Sequence, residues 1–372
     1  MMWSPGHGNV DVEDIRQEGQ MKNGDPTGTR RVVAATLVAA LAIVAGLMAG
    51  CSRQTEEQVT TRELTIVSFA VTEEAYAEVI PLFQSYWKDK TGEDVQFVES
   101  FGGSASQARA VIDGLEADVV HLAMEPDVRR IEEAGLIEAG WQDRAPRDAI
   151  PSTSLIVLGV RPGNPEGLDD WNALAGEGVA IVTPDPKTSG GARWNVLGAW
   201  GSITQTGGTE EAAMDLLAGI FGNTKVLAPN ARDATNTFLQ QRIGDAVIMW
   251  ESEALLAKAE GEELDIVYPA NTVLAETAVA VVDANAKAKG NEEVARAFVD
   301  FLFTPEAQRA FAEAGLRPVD EGVLAEYADV YFAPSGKQYT IDDFGGWAEA
   351  DTKFFVDGAL YDQIQQRIRG DR

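Results

Sequence analysis

Cysteine is nearly absent: Cys51 is the one thiol in 372 residues. A disulfide framework is thereby excluded, and so is a multi-thiolate zinc site. Histidine is almost as scarce, with His7 and His121 the two in the chain. His121 lies on an apolar run and reads as a core residue. No D-x-[DN]-x-[DN]-G loop for calcium is present, so neither metal nor cofactor is expected. Positive charge is short as well, with 30 Lys and Arg against 59 Asp and Glu, a net charge of −29. Binding nucleic acid through phosphates needs basic patches for counterion release, and this balance speaks against it. The same field repels small anions at long range, so an anion site must act locally. What the chain does have is 45% hydrophobic and 24% charged residues, the mix of a folded protein rather than a disordered one. Its length suggests two domains.

One long uncharged run stands out, VVAATLVAALAIVAGLMAG at 32–50, directly after Arg30 and Arg31. Basic residues, an apolar stretch and small residues at its end form the three regions of an export signal. Cys51 follows at once, in the order Leu47-Met48-Ala49-Gly50-Cys51. This resembles the lipobox of bacterial lipoproteins, in which the Cys is acylated and becomes the new N-terminus. The competing reading is a retained membrane helix. Met21 opens a more ordinary signal, which makes residues 1–20 a candidate mis-assigned start. Residues 52–62 are polar and suit a flexible tether. The expectation is a body outside the cytoplasm, anchored to the membrane by lipid on Cys51.

Within the body, Leu64–Phe69 reads as a strand, followed by a helix with Tyr76, Val79, Ile80, Phe83, Tyr86 and Trp87 at helical spacing and a stop at Thr91-Gly92. Strands are expected at Val95–Phe97, Val119–Leu122, Leu155–Val160, Ala180–Val182, Ala246–Met249, Ile266–Tyr268 and Val279–Val282. Residues 291–316 and 347–369 look helical. Strands alternating with helices predict an α/β fold with mostly parallel sheets, here in two lobes. The chain crosses between them near 150–158 and 270–280. Lobe 1 is read as 63–152 with 275–340, lobe 2 as 153–274, and 341–372 as a C-terminal helical segment. Such sheets bind ligands at the carboxyl ends of their strands, which points to loops 100–104, 183–191 and 230–235.

Two of those loops share a design. Phe101-Gly-Gly-Ser104 and Lys187-Thr-Ser-Gly-Gly-Ala-Arg193 each put small residues and a Ser just before a helix. Helix starts present free N–H groups and the positive end of the dipole, an anion site without full charge. Ordinary capping explains either junction alone; two in separate lobes favour a shared anion.

At this point the sequence resembles a known family. Asp185-Pro-Lys-Thr-Ser-Gly-Gly-Ala-Arg-Trp-Asn195 is similar to the second signature of periplasmic sulfate-binding proteins, the substrate receptors of ATP-driven sulfate and thiosulfate importers. Family members usually carry Asn where Asp185 stands. Lys88-Asp-Lys-Thr-Gly-Glu-Asp-Val-Gln-Phe-Val-Glu-Ser100 looks like the first signature, with Glu93 and Glu99 departing from it. The likeness runs through nearly all of 63–369. It implies a two-lobed periplasmic-binding-protein fold of type II, each lobe a mixed, mostly parallel sheet flanked by helices, with the ligand in the cleft. It also implies a dry sulfate or thiosulfate site of neutral donors: the Ser104 hydroxyl, the N–H groups of Ser189, Gly190, Gly191 and Ala231, and the indole N–H of Trp250. A further N–H comes in that family from an Asp, where this chain has Ala70. The partners implied are the membrane subunits of an ABC importer, with the receptor itself a monomer.

Two other readings compete. Thiosulfate or molybdate would suit a similar cage. Ser85-Tyr-Trp-Lys88 fits S-x-x-K and Lys187-Thr-Ser-Gly190 approaches K-T-G, the pattern of penicillin-binding acyl-transferases. However, no S-x-N lies between them and Ser85 falls inside an amphipathic helix. Binding, not turnover, is the expected function.

Overall fold

The computed structural model describes residues 61–331 and 333–370; Cys51 and the leader lie outside them. In the order of the chain the strands are β1 (Thr61–Phe69), β2 (Asp94–Gly102), β3 (Val119–Leu122), β4 (Ser152–Val160), β5 (Ile181–Pro184) and β6 (Thr224–Ala228). There follow β7 (Ala246–Trp250), β8 (Asp265–Val267), β9 (Thr272–Glu276), β10 (Ala278–Val281), β11 (Arg317–Pro318) and β12 (Gln338–Tyr339). One sheet has the order β10-β3-β1-β2; the other runs β12-β9-β4-β7-β5-β6, with β8 and β11 also on β4.

The first sheet follows from its sequence. β1 is apolar on both faces and buried from Leu64 onward, as a strand covered on both sides must be. It pairs in parallel with β2 and β3. Helix α1 (Glu73–Thr91) buries Tyr76, Val79, Ile80, Phe83 and Trp87, leaves Tyr86 exposed at the edge of that face, and stops at Gly92, whose φ of 77° is the left-handed cap glycine tolerates. Phe83 meets Phe298 edge-on at 4.9 Å, fixing α1 to the later helices of its lobe. Helices α2 (Ser104–Ile112) and α3 (Glu125–Glu133) follow β2 and β3.

The second sheet carries more antiparallel pairing than strand–helix alternation predicts. β4 runs antiparallel to β7, β8, β9 and β11, because the chain enters this sheet by crossing from the other instead of returning over a helix. β5 keeps parallel neighbours in β6 and β7. Helices α4 (Gly190–Thr204), α5 (Glu210–Asn223), α6 (Ala231–Leu239) and α7 (Glu251–Ala259) belong to this half. The short strands β11 and β12, inside the 275–340 stretch assigned from sequence to the first lobe, pair instead with β4 and β9. Two-residue strands carry no periodic signal and are set by their neighbours.

The two crossings are stitched together. The Thr277 N–H donates to the Ser152 carbonyl at 3.2 Å, and the Thr277 hydroxyl to the same oxygen at 2.9 Å. His121 Nε2 lies 2.9 Å from that hydroxyl and His121 Nδ1 lies 2.8 Å from Tyr76 Oη. Full burial holds His121 down to about 3, so it is a neutral structural link. The C-terminal part, with α8 (Gly346–Phe354) and α9 (Leu360–Gly370), packs Trp347 against Trp194 and Tyr361 against Phe221.

Candidate functional site

Six strands with parallel neighbours, β1, β2, β3, β5, β6 and β7, end at one place, and residues at or just after their ends line one cavity. Phe69, Ala70 and Val71 come from the end of β1, Gly102 to Ser104 from β2, and Ala123 from β3. Across from them stand Ser189 and Gly191 after β5, Asn230 and Ala231 after β6, and Trp250 closing β7. The space is about 10 Å³, on the order of what one water molecule needs, so the lobes stand close together over it. None of its lining side chains is charged.

The chemistry of this lining is donation. Gly190 and Gly191 open α4, Ala231 opens α6, and Ala70 opens a 3₁₀ turn. First-turn N–H groups have no acceptor within their own helix, and the helix dipole adds partial positive charge there. Asn230 caps α6 by accepting from the Asp233 N–H at 2.8 Å, which fixes Ala231 at the rim. Trp250 is fully buried, yet its Nε1 has no hydrogen-bond partner among the described residues. Phe69 stands beside it with ring centroids 5.5 Å apart. A buried N–H left unpaired costs about 1–3 kcal/mol, so this donor is held ready for an acceptor.

Glycine is required in the cavity wall and where the halves touch. A Cβ on Gly191 would sit 2.7 Å from Trp250 Nε1. One on Gly103 would sit 2.8 Å from the Thr188 carbonyl oxygen and 3.2 Å from that of Pro229. The Trp194 indole donates across to the Ala123 carbonyl at 2.8 Å. The halves are therefore drawn together over the cavity.

Six of the seven residues expected from sequence, Ala70, Ser104, Ser189, Gly191, Ala231 and Trp250, line this cavity. Gly190 lies against Ser104 and Ala123. Two of them act differently from expectation. The Ser104 hydroxyl donates to Asp127 Oδ2 at 2.6 Å and accepts from the Ala123 N–H at 3.1 Å, because a buried carboxylate is the strongest acceptor within reach. Gly103, not Ser104, stands at the cap position of α2. The Ser189 N–H closes a turn onto the Asp185 carbonyl at 2.9 Å, leaving the next two N–H groups free at the helix start.

Asp127 carried no signal in the sequence. It is wholly buried, and burial raises its carboxyl above the usual range against the pull of Arg193, Ser104 and Arg130. Arg130 donates to its Oδ1 at 3.0 Å. Asn230 was readable as an Asn just before a helix. The residues of the acyl-transfer pattern do not assemble: Ser85 is exposed on α1, while Lys187 pairs with Asp362 at 3.0 Å. Among the described residues, no three His, Cys, Asp or Glu side chains are grouped to hold a metal.

A family model described as bacterial extracellular solute-binding protein matches residues 64–317. The chain is 48% identical to the sulfate-binding protein of Synechococcus elongatus, over 83% of this chain and 88% of that one. It is 37% identical to the thiosulfate-binding protein of Pseudomonas aeruginosa, over 88% of this chain and 98% of the other. A solved structure, the sulfate-binding protein of Mycobacterium tuberculosis, superposes with a TM-score of 0.73 at 34% identity, covering 79% of this chain and 99% of that one.

Proposed function

The chain belongs to the bacterial extracellular solute-binding proteins, and on that premise we propose that it captures sulfate outside the cytoplasm and delivers it to an ABC importer. The observation that carries this is the unpaired, buried Trp250 N–H facing the same small uncharged cavity as three helix starts. Trp can only donate, and so can a backbone N–H. A cage of this kind fits an ion whose oxygens all accept. In this reading Gly190, Gly191, Ala231, Ala70 and Trp250 supply N–H groups. Ser104 joins them if its proton turns from Asp127 to the anion. The Ser189 side chain forms part of the wall. The receptor acts as a monomer, held to the membrane through acylated Cys51; the mass of the mature N-terminus tests that anchor, and an unmodified Cys51 with the leader intact would refute it.

Sulfate near neutral pH carries no proton, whereas phosphate keeps an O–H that needs an acceptor. Ser104 Oγ already accepts from Ala123 and donates to Asp127, so the cage has little to offer it. An unsatisfied buried O–H costs about 1–3 kcal/mol, and phosphate should bind about a hundredfold more weakly than sulfate. Calorimetry with sulfate, thiosulfate, molybdate and phosphate measures this directly. Phosphate within a few-fold of sulfate would mean that the Ser104–Asp127 pair serves as an acceptor.

A further inference from the structure

A second cavity, of about 250 Å³, lies where the crossings between the two sheets meet. Three carboxylates line it from three separate segments. Asp148 comes from the chain leading into β4, Glu276 ends β9, and Asp342 sits in the turn after β12. Glu125 at the start of α3 is a fourth, and it accepts from Arg129 and Gln142. The walls between them are Trp141, Trp347, Ile150 and Ile341; Glu276 is half-buried there, while Asp148 and Asp342 are exposed at the rim. No Lys or Arg lines this space among the described residues. Arg317 shares Thr153 with Glu276 as a ladder neighbour, from the other side of β4, and its guanidinium forks onto Glu251 at 2.6 and 2.9 Å.

The position matters as much as the charge. Glu276 directly precedes Thr277, the residue clasped to Ser152. Asp148 lies on the other crossing, where Arg147, Asp148 and Ala149 have φ of 53°, 54° and 61°. Non-glycine residues in that region are strained and persist only when their surroundings hold them. Burial, followed by the charges of Asp342 and Asp148, pushes Glu276 up to about 7.

We propose that this cavity is a proton-operated brake on lobe closure, in which ionised Glu276 repels Asp148 and Asp342 across the junction and a proton on Glu276 releases it. Only the readout rests on the receptor reading, because anion binding reports closure. In the closed form Glu276 is desolvated beside like charges; opening hydrates it and returns it toward an ordinary value of about 4.3. A group whose pKa is higher in the closed form favours closure fully below its open-state value. That contribution is lost as pH rises through the closed-state value. Affinity should therefore fall between about pH 5 and about pH 7, by up to about tenfold per pH unit, and level off above.

The test is sulfate titration of the wild type and Glu276→Gln across that range, with small-angle scattering of both proteins without ligand. The wild-type Kd should rise about tenfold or more from about pH 5 to about pH 7, with proton uptake visible as a buffer-dependent heat. Glu276→Gln should bind with one affinity throughout, equal to that of the wild type at the acid end. Asp342→Asn should shrink the span. Unliganded wild type should be more compact at the acid end, and Glu276→Gln compact at both. Parallel pH curves for wild type and Glu276→Gln, or a pH-independent radius for the wild type, would overturn the brake. Failure to bind sulfate at any pH would sink the receptor reading instead, leaving the scattering to decide the brake.

Discussion

Trp250 shows how one atom can be arranged for a ligand at the expense of the fold. Its ring is wholly buried against Phe69 while its N–H goes unpaired. Trp250→Phe keeps most of the ring and removes the donor. A hydrogen bond to a charged group is worth about 1.5–3 kcal/mol, so sulfate affinity should drop about ten- to hundredfold. In the unliganded protein, relief of the orphaned donor offsets the small cavity the lost ring atoms leave, so melting should shift little. Gly191→Ala should harm binding at least as much, since its Cβ would press on that nitrogen at 2.7 Å. Lys187→Ala should change little, because Lys187 is engaged with Asp362. Calorimetry and melting curves on the three variants check the set. Gly191 was legible through its signature and Trp250 through the wider family resemblance, whereas Asp127 was not. It lies 23 residues from Ser104, and nothing local marks a carboxylate that will be buried behind a hydroxyl.

At the scale of elements, each helix start that faces the cavity is placed by the end of a parallel strand. That is why apolar strand runs and Gly-Ser junctions located the loops so well. β1, β3, β5 and β7 were readable as apolar runs. β6 was not, because it alternates half-buried and exposed residues around Lys225. β11 and β12 were not, because they exist only by pairing. The close approach of the α2 start to loops 188 and 229 leads to a prediction about motion. Gly103→Ala would force its Cβ to within 2.8 Å of the Thr188 carbonyl oxygen. The first lobe should fold normally, yet sulfate should no longer compact the protein in solution scattering, and affinity should fall. Unchanged compaction would show that the lobes meet elsewhere.

For the whole molecule, charge and site work against each other. The net charge of −29 opposes the approach of a dianion, while the cavity itself carries no lining charge. The screening length falls from about 30 Å at 0.01 M salt to about 8 Å at physiological strength. Stopped-flow tryptophan fluorescence should accordingly show association several-fold faster at the higher salt, with dissociation nearly unchanged. The division of donors between the halves has a further consequence in time. Ala70 and Ser104 belong to one side, and Gly190, Gly191, Ala231 and Trp250 to the other. Neither side can keep the ion alone, so its residence time is set by how often the crossings flex, not by the breaking of any single bond. A membrane partner that grips both halves and spreads them would thus empty the receptor without ever touching what it carries.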